Sequence, residues 1–265
     1  MMGTQMKTSS DTEADTTVQT PRASGASTAR RGLQHQNKTP TRKYEIIYRN
    51  AAGEIVEMAR VAPAQPTFEN AFGALGRGAM VSTDNGPMTV EDLLPGDRIR
   101  LANGELETLL WRGSMVIRPD DPNINSEHSC LIRITAEALG PTRPMPDLVL
   151  GPTAHLLHRA AGVRTLTGKR AAFIPARDFV DGNQFIALRP TIPVQVYQLG
   201  FDRQESLLVN GIEIESLHPG TFFGLGLRGD MLTQYLALFP HKRDLQDFGE
   251  MRNPRLRMRD LELLG

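Results

Sequence analysis

Downstream of about residue 43, apolar and polar residues alternate with a period of two over much of the chain, and this pattern predicts half-buried strands. The alternation first runs across Tyr44-Glu45-Ile46-Ile47-Tyr48 and returns across Ile55-Val56-Glu57-Met58, with Asn50-Ala51-Ala52-Gly53 between, so the pair reads as a β-hairpin. Val61 to Thr67 holds two prolines and reads as a linker, and Phe68 to Leu75 is a short apolar candidate for a helix. Further strands are expected at Ala79 to Thr83, Arg98 to Leu101, Thr108 to Ile117, Leu131 to Thr135, Asp147 to Leu150, Phe185 to Leu188, Val194 to Phe201 and Leu207 to Ile214. Pro119 to Ser129 is polar and aperiodic, a surface loop, and Ala160 to Arg170 reads as a second loop or hairpin. Near the end the period becomes helical. Met231, Leu232, Tyr235, Leu236 and Phe239 share one side of a helix that Asp230 would cap and Pro240 would end. His241 to Gly265 reads as a loosely packed extension.

The expected layout is therefore a disordered tail over 1–42, a hairpin and linker over 43–66, an all-β domain over 67–222, and a C-terminal helix and extension over 223–265. The tail is rich in Ser, Thr, Gln and basic residues and too poor in large apolar ones to offset the entropy of ordering it. Within the β domain, the turn Asp92-Leu93-Leu94-Pro95-Gly96-Asp97 has a counterpart in Asp178-Phe179-Val180-Asp181-Gly182-Asn183, displaced by 86 residues. Two copies of one turn-and-strand unit predict a fold of two pseudo-symmetric β halves.

Composition narrows the chemistry. A hydrophobic content of 40% over 265 residues supports a real core, and a formal net charge of zero argues against nucleic acid or an anionic membrane surface as the main partner. The lone Cys130 excludes an intrachain disulfide and a thiolate metal cluster. No apolar run is long enough for a membrane span or the core of a signal peptide, so the expected location is cytoplasmic, or exported without a cleavable signal.

Three segments carry a family resemblance. They are Gly78-Ala79-Met80-Val81-Ser82-Thr83 with Gly86 and Val90 to Asp97; Asp147-Leu148-Val149-Leu150-Gly151-Pro152; and Phe201-Asp202-Arg203-Gln204-Glu205 leading to Val209 through Gly220. Over about Phe68 to Gly220 the chain resembles the Hint family, the fold of Hedgehog autoprocessing domains and inteins, and in particular its bacterial stand-alone branch. The resemblance implies a flattened all-β horseshoe with pseudo-two-fold symmetry.

The resemblance also implies a chemistry, and this chain departs from it. Active relatives begin with Cys or Ser, which attacks the preceding carbonyl and turns a peptide into a thioester or ester. Placement through Gly78, Gly86 and Val90 puts Ala74 in that column. The family His that protonates the departing nitrogen falls on Ala154, with Gly151 in the column of its hydroxyl partner, and His155 stands one residue away. Gln204 stands where many bacterial relatives carry His, and no His-Asn-nucleophile triplet follows His218.

Two expectations follow. The first is a catalytically silent structural or interaction module with an unidentified protein partner and no cofactor. The second is self-processing through an unconventional nucleophile, Thr67, Ser82 or Cys130, assisted by His155. A metal set built from His155, His158 and His218 is a weaker candidate, because two histidines three apart in a strand face opposite ways.

Overall fold

A computed structural model describes residues 40–119 and 129–263, together with the backbone but not the side chains of 222 and 223. Among these residues two antiparallel eight-stranded sheets dominate, and the helices are short. The first sheet runs, edge to edge, through Phe185–Leu188, Leu131–Ile134, Leu148–Leu150, Leu75–Gly76, Val194–Gly200, Trp111–Ile117, Thr41–Arg49 and Ile55–Pro63. The second runs through Ala172–Pro175, His155–His158, Ile212–Glu215, Ser206–Val209, Met80–Thr83, Arg98–Arg100 and Leu106–Thr108, with Gly86–Thr89 paired on Met80–Thr83.

Alternation along Val194–Gly200 explains the layering. Tyr197 and Leu199 enter a core that also takes Val81, Ile99, Leu207 and Ile214 from the second sheet. Val196, one residue out of step, joins a different cluster of Tyr44, Phe72, Trp111, Phe239 and Phe248. The first sheet is therefore buried on both faces, by the second sheet and by an aromatic layer. The expected all-β architecture holds. The turns at Asp92 and Asp178 each hold a positive-φ glycine, Gly96 at φ +113° and Gly182 at φ +77°, and each leads into a strand.

The structure differs from the sequence reading in several places, each with a physical reason. Thr108 to Ile117 is two strands, because Leu109 exchanges hydrogen bonds with Gly96 and Asp97 while the Leu110 N–H turns to the Gly200 carbonyl. The chain crosses between sheets at that step. Leu207 to Ile214 is a hairpin that turns at Asn210 (φ +46°) and Gly211 (φ +79°). Residues 161–167 form a helix closed by Gly168 at φ +72°, where a loop or hairpin was expected. Thr41 and Arg42, assigned to the tail, already belong to the first strand, while residues 1–39 and most of the loop at Pro119 to Ser129 lie outside the described residues.

The C-terminal segment is packed, not loose. A helix at Gly229–Leu236 forms where expected, although Arg228 occupies the cap position and Asp230 sits in the first turn. Tyr235, Leu238 and Phe239 close over Phe68, Phe72 and Trp111, and the Trp111 indole N–H donates to the Leu238 carbonyl at 3.0 Å. Beyond it the chain returns along the edge strand Ala172–Pro175. The Phe173 N–H donates to Pro254 and the Leu256 N–H donates to Phe173, and Leu261 packs on Val163 and Ile174.

His241 lies against Trp111, with ring centroids 6.3 Å apart, and neither of its ring nitrogens has a hydrogen-bond partner. Burial, with Lys242 adding to it, pushes its pKa down to about 3. An unfolded histidine takes its proton near pH 6.5, so below that value the unfolded chain binds more protons. Stability should be full above pH 6.5 and fall as the pH drops toward 3, by up to about 1.4 kcal/mol per pH unit from this residue. Urea unfolding of His241→Phe should show a smaller loss between pH 7 and about pH 5 than the parent chain.

Candidate functional site

The site begins at a backbone junction. Ala74 is fully buried. Its N–H donates to the Tyr197 carbonyl at 3.0 Å, and its own carbonyl accepts from the Gly151 N–H at 2.8 Å. One residue earlier, the Gly73 carbonyl accepts from the Thr153 N–H at 3.1 Å. Gly151 is required by this approach, since a Cβ there would collide with the Gly73 carbonyl oxygen. The turn 151–153 thus holds the carbonyls on both sides of Ala74.

Ala154 is also buried and belongs to the same core cluster as Ala74 and Ala176. Its carbonyl accepts from the Ala176 N–H at 2.8 Å. Both positions assigned to catalytic side chains therefore hold methyl groups inside the core.

A profile of the Hint domain family matches residues 74–221, more than half of the chain, and its first matched residue is Ala74. The chain belongs to the Hint domain family. Among solved structures it is similar to a bacterial intein-like domain from Clostridium thermocellum, at 13% identity and a TM-score of 0.38, over 55% of this chain and 99% of that one. It is also similar to a splice-inactive variant of the AceL NrdHF class 3 split intein, at 8% identity and a TM-score of 0.36, over 54% and 97% of the two chains. No curated protein matches it.

Beside the junction of this Hint domain lies a polar cavity of about 270 Å³. Thr67, Thr153, His155 and His218 line it, so the structure brings together the sequence candidates Thr67 and His155. It separates others. His158 lines a different depression and rests on Phe179, at 5.8 Å between ring centroids. Cys130 is half-buried ahead of Leu131–Ile134, and Ser82 lies within Met80–Thr83; neither borders the cavity. Among the described residues no group of three or more His, Cys, Asp or Glu is placed to hold a metal ion, and no helix is long and apolar enough to cross a membrane.

At the cavity wall sits a charged knot that the sequence reading missed. The Glu215 carboxylate accepts from the Arg255 Nε at 2.9 Å on both oxygens and from the Gln204 amide at 2.5 Å, and it faces the His155 Nδ1 at 3.3 Å. Gln204 is fully buried and accepts from the Asn253 N–H, while Arg255 also donates to the His218 carbonyl. Gln204 thus ties the second sheet to the C-terminal segment. His218 is fixed in one tautomer, its Nδ1 accepting from the Gly220 N–H and its Nε2–H donating to the Gly249 carbonyl. Burial holds His155 and His218 below the usual histidine range; Glu215 pulls in the opposite direction on both but does not prevail.

Two substitutions test this arrangement by chemical denaturation. Gly151→Ala should cost at least about 3 kcal/mol, because the backbone it would strike cannot swing aside as a side chain would. Glu215→Gln should cost about 3 kcal/mol, the lower end for breaking a buried pair because Arg255 is partly exposed.

Proposed function

We propose that this Hint domain is a catalytically silent structural or protein-interaction module. The observation that supports the reading is the pair of buried alanines. An acyl shift needs a nucleophile on the residue that follows the attacked carbonyl, and after Gly73 that residue is Ala74. Proton delivery to the departing nitrogen needs a titratable side chain, and its column holds Ala154. The grip on the Gly73–Ala74 peptide persists without a group that could use it.

A second reading rests on Thr67, which shares the cavity with His155. In it the Thr67 Oγ1 bonds to the Pro66 carbonyl carbon, the Pro66–Thr67 C–N bond breaks, and the hydroxyl proton passes to the Thr67 nitrogen with His155 as carrier. Against it, Thr67 sits in the first turn of a helix whose Pro66 carbonyl already accepts from the Asn70 N–H at 2.8 Å.

Intact-mass measurement of the full chain over time, with and without hydroxylamine and a thiol, separates the two. The silent reading predicts one unchanged mass in every condition. Fragments with a new terminus between 67 and 74, abolished by Thr67→Ala or His155→Ala, would establish the second reading instead.

A further inference from the structure

The hairpin of Thr41–Arg49 and Ile55–Pro63 lies outside the matched residues 74–221, and its second strand ends the first sheet. Among the described residues no strand pairs with the far side of Ile55–Pro63. The direction of its backbone groups follows from two bonds that bracket the hairpin. The Asn50 N–H donates to the Glu54 carbonyl at 2.9 Å and the Ala64 N–H donates to the Pro40 carbonyl at 2.8 Å, both in the register of the pairs between them. Hydrogen-bonded pairs alternate along an antiparallel ladder, so the backbone groups of Val56, Met58, Arg60 and Ala62 face Thr41–Arg49. Ile55, Glu57, Ala59 and Val61 therefore aim their N–H and C=O groups at the open edge.

Such edges are usually blunted by a bulge, a lysine or a proline. This one pairs with its neighbour without a bulge, carries no lysine, and has its proline only at the last position. It also exposes two large apolar side chains on one face, Ile55 at 51% and Val61 at 71%. An open row of backbone groups beside exposed apolar side chains is a surface that takes another strand.

The order of these residues selects the strand. When a second copy of Ile55–Pro63 lies antiparallel about a two-fold axis at Met58, Ile55 stands opposite Val61 of that copy and Glu57 opposite its Ala59. Every outward N–H and C=O of the four residues is then paired, and each exposed apolar side chain covers one of the other copy. An axis at Glu57 leaves Val61 beyond the end of the other strand and sets the two Glu57 carboxylates directly opposite. An axis at Ala59 sets Ile55 opposite Pro63, which has no N–H to give. With the axis at Met58 the Glu57 side chains meet only diagonally, about 7–8 Å apart.

We propose that the open edge of Ile55–Pro63 joins a second copy of this chain, extending the first sheet across a two-fold axis at Met58. Pairing along one strand covers less than the roughly 1,200 Å² of a standard interface, so the dimer is weak, with a Kd on the order of 100 µM. It does not depend on whether the domain is silent, and it is read by association where self-processing is read by intact mass.

Sedimentation equilibrium of the full chain between about 10 µM and 1 mM should show a reversible monomer–dimer transition. Ala59→Pro removes one outward N–H from each copy and spares the ladder to Thr41–Arg49, so it should weaken the dimer at least about tenfold. Thermal unfolding checks that this variant folds, and cross-linking tests the register without it. In a Cys130→Ser background, Met58→Cys should give a disulfide dimer on oxidation, because its two Cα atoms stand about 4.5 Å apart across the axis. Val56→Cys should not, since Val56 lies opposite Arg60 of the second copy. A monomer throughout the range, an unchanged dimer in folded Ala59→Pro, or cross-linking at Val56→Cys in preference to Met58→Cys would each overturn the proposal. A monomer whose Glu57 and Ala59 amides resist hydrogen exchange would also overturn it, and would give the edge to another occupant such as residues 1–39 of the same chain.

Discussion

Three backbone hydrogen bonds at Gly73 and Ala74 hold the centre of this protein together. The Ala74 N–H reaches Tyr197, the Gly151 N–H reaches Ala74, and the Thr153 N–H reaches Gly73. Tyr197 and Leu75 belong to the middle of the first sheet, whereas 151–153 leads directly into His155–His158 of the second. The junction is thus the place where the two sheets are stitched, and a change of one methyl group at Gly151 would push them apart. The groups of the Gly73–Ala74 peptide are engaged in this ladder, and the Ala74 side chain belongs to the core.

The C-terminal segment completes what the sheets leave open. Its aromatic residues seal the outer face of the first sheet around Trp111, and the return run from Arg252 to Leu261 lies along the edge of the second. Four contacts recruit side chains far apart in sequence. Arg252 meets Glu205, Asn253 meets Gln204, Arg255 meets Glu215, and Arg257 meets Asp178. Covering the edge strand Ala172–Pro175 in this way also removes an unpaired row of backbone groups that would otherwise be open to another chain. Arg255 of the same run also lines the polar cavity.

Local signals in the sequence carried much of this architecture. The alternation located most strands, and the paired turns at Asp92 and Asp178 announced the repeated unit. The motif around Gly78 to Asp97 pointed to the family whose profile matches residues 74–221. What escaped was set by distance or by a single step in register. Leu109 and Leu110 look like the middle of one strand, and only their different partners, Asp97 and Gly200, reveal the crossing. Asn210-Gly211 is a strong hairpin signal and was overridden by the apolar residues on either side. The C-terminal segment looked loose because its anchors are arginines, whose carboxylate partners at 178, 205 and 215 could not be assigned from spacing. For the same reason the part Glu215 plays at the cavity wall carried no mark in the sequence.

The central claim is that the Gly73–Ala74 peptide is part of the permanent core and not a bond poised to react. Native-state amide hydrogen exchange at Ala74, Gly151 and Thr153 addresses it most directly, because a reacting peptide must leave its ladder and a core peptide does not. The account predicts that all three exchange only through global unfolding, as slowly as the amides of the strand Val194–Gly200. Exchange at these three positions that is orders of magnitude faster than in that strand would contradict it.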